Sequence, residues 1–128
     1  MSAPESSVTR PLVACLCAAW CGSCRDYRGT FEALAASFAG QADFTWVDVE
    51  DEADALGELD IEDFPTLFIA LDDDALFLGP VTPQPGTAER LIRSALEGDL
   101  AAGADAGYPG LLARVRSVVL HIVATKAS

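Results

Sequence analysis

The sequence predicts an α/β fold of four short strands with flanking helices. Two observations carry this expectation. Apolar periodicity alternates between strand-like and helix-like along the chain, and a buried-type strand leads directly into a cysteine-bearing helix. The composition, 51% apolar and 22% charged, is that of a globular protein rather than a disordered one. A length of 128 residues suits one domain with appendages: a polar lead at 1–10, a body at 11–98, and a linker with a terminal amphipathic helix at 99–128.

Leu12 to Ala18 is almost continuously apolar, as a central strand buried on both faces would be. Cys21 to Ala39 places Tyr27, Phe31, Leu34, Ala35 and Phe38 on one helical face, and Gly40 sits where a C-terminal cap would. Phe44 to Val49, rich in aromatic and branched residues, reads as the second strand. Asp51 to Leu59 is a short helix candidate with Asp51, Glu52 and Asp54 in its first turn, where the helix dipole favours negative charge. Thr66 to Leu71 and Ala75 to Leu78 form a hairpin around Asp72, Asp73 and Asp74. A proline-rich connector, Gly79 to Gly86, leads to Thr87 as N-cap of a helix that ends near Gly98. The last helix, Leu111 to Ala124, carries Leu111, Val115, Val118, Val119 and Ile122 on one side.

The formal net charge is −12, and no Lys or Arg occurs between Arg28 and Arg90. Such a field repels phosphate backbones, so nucleic acid is not an expected partner. Leu111 to Ala124 contains Arg114, Arg116 and His121 and is too short to cross a bilayer of roughly 30 Å, so no membrane span is expected. Its apolar stripe needs cover, either from the chain's own acidic body or by self-association through this helix. Met1 to Arg10 has no apolar run behind a basic patch, which points to the cytoplasm. His121, the single histidine, sits on the terminal helix and is not expected to act as a general base.

The segment that carries chemistry is Trp20-Cys21-Gly22-Ser23-Cys24, between a predicted strand and a predicted helix. Dithiol exchange needs one thiolate that attacks and a second thiol near enough to resolve the mixed disulfide, and two intervening residues at a helix start provide both. Cys21, at the helix N-terminus, is the expected attacker, because unpaired N–H groups and the dipole favour its thiolate. Cys24, one turn deeper, is the expected resolver.

Together with Phe64-Pro65-Thr66 ahead of the next strand, this layout resembles the thioredoxin family over roughly Pro11 to Glu97. The resemblance implies a thioredoxin-like fold with a central mixed four-stranded sheet, here with a shortened N-terminus and an extra C-terminal helix. It implies a disulfide oxidoreductase with catalytic Cys21 and Cys24, acting on protein disulfides or small thiols, served by a reductase and needing no bound cofactor. It also implies that Pro65 is cis and lies against the Cys21 sulfur, with Trp20, Gly22, Ser23, Phe64, Pro65 and Thr66 forming the substrate platform.

The departures from the family pattern are informative. Where thioredoxins usually have a buried aspartate, six residues before the first motif cysteine, this chain has Cys15. Cys17 replaces a frequent aromatic residue, Ser23 the usual proline, and Trp46 a frequent lysine. Cys15 and Cys17, two apart on a strand, point to one face and are candidate accessory thiols. The resemblance places Cys15 beneath the motif, as core filler, as a slow proton acceptor or as a reserve thiol able to pair with Cys24. Two other readings stay open: a non-catalytic interaction module that keeps the fold, and a metal-binding module using Cys15, Cys17, Cys21 and Cys24, although no metal ligand is assigned.

Overall fold

A computed structural model describes residues 10–18, 22–52, 56, 65–72, 74–82, 84–104, 108 and 110–127, without the side chains of Ser23, Pro85 and 121–127. Strand β1 (Leu12–Cys17) runs toward helix α1 (Gly22–Ser37), which is followed by β2 (Asp43–Asp48). The hairpin β3 (Thr66–Leu71) and β4 (Asp74–Pro80) comes next, then α2 (Pro85–Glu97) and α3 (Leu111–Ala127). The sheet order is β2-β1-β3-β4, with β1 parallel to β2 and antiparallel to β3. The sheet is therefore mixed and four-stranded, as expected. β1 lies in its interior, which explains the unbroken apolar run: all of Val13 to Cys17 is buried.

Alternation along the strands sorts the core into two layers. Val13, Cys15, Cys17, Leu67 and Ile69 face α1 and α2, packing with Cys24, Tyr27, Phe31, Phe38, Ala88 and Ile92. Ala14, Leu16, Val47, Phe68 and Ala70 face the opposite way and are covered by Leu111, Val115 and Val118 of α3. The terminal helix thus finds its cover in its own chain. Arg116 adds a polar tie by donating from Nη2 to the carbonyl of Asp72, in the β3–β4 turn. Asp72 makes that turn in the left-handed region, at φ 57°, where Asp is among the better tolerated non-glycine residues.

Element boundaries differ from expectation in instructive places. α2 begins at Pro85 with Gln84 as N-cap, three residues before the expected Thr87 cap. The fixed φ of a proline at the first helical position prepares the backbone for the helix without a side-chain cap, and Gln84 makes none. Gly98 closes α2 at φ 78°, the left-handed cap that glycine permits. At the end of β2, Asp48 Oδ1 accepts from the Glu50 and Asp51 N–H groups at 2.9 and 3.1 Å, turning the chain sharply. The expected helix over Asp51 to Leu59 lies mostly outside the described residues; Leu56 is helical and donates to the Glu52 carbonyl at 2.9 Å.

Candidate active site

The site forms where β1 ends and α1 begins. The parallel pairing of Cys17 with Asp48, extended by the Val49 N–H donating to the Cys17 carbonyl at 2.8 Å, fixes the last residue of β1. On the other side, Leu16 pairs with Thr66. One further step along that register brings Pro65 to the Cys17 end of β1. Pro65 and Thr66 are both buried, and the Pro65 carbonyl accepts from the Val81 N–H at 3.0 Å. The segment before β3 is thereby anchored to the strand end from which the cysteine motif departs.

Gly22 opens α1 and is exposed, Ser23 follows in the first turn, and Cys24 turns inward at 1% exposure. Cys24 is disulfide-bonded to Cys17, which is also 1% exposed, with Cα atoms 5.8 Å apart. Sequence reasoning expected Cys15 beside Cys24; Cys17 holds that place. Both strand cysteines do share one face, but Cys17 is two residues nearer the strand end, level with the first helical turn. Cys15 Sγ lies behind it, 3.7 Å from Cys17 Sγ, so three sulfurs run in series from helix to sheet interior. Trp20, Cys21 and Phe64, also assigned to the site from sequence, lie outside the described residues.

Burial pushes the Cys15 thiol up to about 12 despite an opposing pull from the Arg28 charge. Tyr27, one helical turn beyond Cys24, is likewise pushed up to about 12, first by burial and then by the Cys15 thiolate that would face it. The wall beside them is aromatic. Phe31 meets Phe44 at 5.4 Å and Trp46 at 5.8 Å, both edge-on. The Arg28 guanidinium covers the Trp46 ring at 4.8 Å. Trp46 is therefore the docking face of a cation on the neighbouring helix, a pairing across elements that the sequence did not disclose. A cavity of about 640 Å³ at the outer edge of β2, lined by Arg10, Leu12, Phe44, Arg116 and Leu120 among others, contains none of the predicted site residues.

The family model Thioredoxin matches residues 5–84, more than half of the chain. The chain belongs to the thioredoxin family. Staphylococcus aureus thioredoxin is 33% identical over 55 residues, 43% of this chain and 53% of that protein. This chain thus spans about half the length of the curated relatives it matches. Among solved structures, Fasciola hepatica thioredoxin superposes with a TM-score of 0.60 at 24% identity, covering 70% of this chain and 84% of that one. The germline-specific thioredoxin Deadhead of Drosophila melanogaster gives 0.60 at 18% identity, covering 70% and 85%. These likenesses extend the expected thioredoxin fold from sequence to structure. Among the described residues no helix is long and apolar enough to cross a membrane.

Proposed function

We propose that the protein is a thiol-disulfide oxidoreductase whose working dithiol is Cys21 and Cys24. The observation that carries this reading is the buried sulfur of Cys24 in the first turn of α1, at the end of β1, already within disulfide reach of another cysteine. Cys21 immediately precedes the first helical residue, Gly22, in the sequence. In the proposed cycle the Cys21 thiolate attacks a substrate disulfide and one substrate sulfur leaves as thiolate. Cys24 then loses its proton and attacks Cys21 Sγ, releasing the second substrate thiolate and leaving the Cys21–Cys24 disulfide. A reductase or small dithiol returns the pair to thiols, and no bound cofactor takes part. Trp20, Gly22, Ser23, Phe64, Pro65 in the cis form and Thr66 supply the surface on which the substrate strand rests.

Resolution is the expected slow step, since Cys15 stands where the family has a carboxylate and cannot accept a proton near neutrality. That same observation favours one second reading, an interaction module that keeps the fold without efficient turnover. Insulin reduction with dithiothreitol separates the two. The enzyme reading expects activity that Cys21→Ser abolishes, while activity at the uncatalysed rate in both proteins leaves the interaction module.

A further inference from the structure

Three cysteines converge on one point of this fold, and the dithiol mechanism uses only one of them together with Cys21. We propose that Cys17 is a third redox thiol of the site, which takes Cys24 away from Cys21 and so converts a dithiol enzyme into one with a single reactive thiol at Cys21. The inference rests on the reading of Cys21 and Cys24 as the working pair.

The geometry supports the exchange. Cys17 and Cys24 have Cα atoms 5.8 Å apart, inside the usual disulfide span, and are bonded to each other. Both belong to the same apolar cluster, and Cys17 is held at the strand end by its pairing with Asp48 and by the Val49 N–H. Only 7 positions separate them in sequence, so closing the ring costs little chain entropy.

The step balances without an outside oxidant. Cys17 loses its proton, and its sulfur attacks Cys24 Sγ in the Cys21–Cys24 disulfide. The Cys17–Cys24 bond forms as the Cys21–Cys24 bond breaks, and the electron pair leaves on Cys21 sulfur, which takes up a proton. The number of disulfides is unchanged. Because the new bond is 99% shielded on both sides, soluble reductants reach it slowly, and the faster route back is attack by Cys21 on Cys24. While the core bond holds, a mixed disulfide on Cys21 has no resolver and persists. Ionising a buried thiol is slow, so the transfer lags behind turnover and acts as a brake under sustained oxidation.

Chymotryptic cleavage after Trp20 makes the two bonds distinguishable, since a Cys21–Cys24 bond leaves the flanking peptides separate and a Cys17–Cys24 bond joins them. The native protein is oxidised with diamide, denatured and blocked with N-ethylmaleimide, digested and mapped by mass spectrometry. In the wild type a joined product assigned to Cys17 and Cys24 should accumulate after the separate one, and Cys17→Ala should abolish it. Cys21→Ser, which removes the competing partner of Cys24, should form the joined product alone on prolonged oxidation. If oxidised Cys21→Ser leaves Cys15, Cys17 and Cys24 all alkylated, or if the joined product persists in Cys17→Ala through Cys15, the proposal is wrong. Failure of the functional reading is seen separately: insulin reduction undiminished in Cys21→Ser would dismiss the dithiol whatever the bond map shows.

Discussion

Cys17, the last residue of β1, is bonded to Cys24 in the first turn of α1, while Cys15 stands two residues back on the same strand face with its thiol free. This arrangement separates the two strand cysteines, one bonded and one free. Both lie in the same buried cluster, and on the reading proposed above only Cys17 takes part in exchange.

The enclosure of Cys15 has a pH signature. Its pKa rises from 9.0 to about 12 and that of Tyr27 from 10.0 to about 12, so both bind their protons more tightly when folded than when unfolded. The stability they contribute is complete below the unfolded values and is lost as the pH rises from about 9 toward 12. Urea unfolding across that range should show a falling midpoint, less steep in Cys15→Ala. At pH 8, iodoacetamide should leave Cys15 unmodified in the native protein and label it after denaturation.

Cys15→Asp restores a carboxyl at the family's usual position, on a strand where the native side chain is fully buried. Release of the mixed disulfide from Cys21, followed by stopped-flow, should accelerate. The buried carboxyl should also lower stability, by about 1–3 kcal/mol if a hydrogen bond is only partly made. Unchanged release would mean that proton acceptance does not limit resolution.

Phe31 anchors the aromatic wall between α1 and β2 and is 4% exposed. Phe31→Ala should cost about 3–5 kcal/mol in unfolding free energy, from lost transfer energy and the cavity left behind. Because Phe44 and Trp46 lose the same partner, the Phe31→Ala and Phe44→Ala costs should sum to more than the double variant loses.

Gly29 lies in the middle of α1 with nothing within 4 Å of where a Cβ would stand. Gly29→Ala should therefore stabilise the protein by about 1 kcal/mol, through helix propensity alone. Thermal unfolding by circular dichroism provides the check, and a lower melting temperature would show that the position has another duty.

Helix α3 covers the sheet face opposite α1 and α2 through Leu111, Val115 and Val118. Truncation after Gly107 should lower the melting temperature and expose Leu16, Val47 and Phe68 to dye binding. Unchanged stability with loss of a dimer would instead make the helix an association surface.

How far the sequence disclosed this depends on where each feature is encoded. β3 was legible to the residue, because an unbroken apolar run is bounded by Pro65 and Asp72, and local chemistry alone sets both ends. The shared face of Cys15 and Cys17 was legible from strand alternation. Which of the two meets Cys24 was not, because it depends on how far β1 runs before α1 starts, a tertiary height that no local pattern encodes. The start of α2 was misplaced because Thr87 offers an evident cap, while the backbone preset of Pro85 starts the helix three residues earlier, with Gln84 as cap. Stacking of Arg28 on Trp46 joins two elements and has no signature in either.

The central claim, that Cys21 attacks and Cys24 resolves, is tested most directly by trapping. Cys24→Ser is incubated with a protein disulfide, quenched in acid and mapped. The account expects a covalent adduct approaching one per chain, located on Cys21 and released by dithiothreitol, with none in the Cys21→Ser, Cys24→Ser double variant. An adduct on another cysteine, or none at all while the wild type reduces the same substrate, would contradict it.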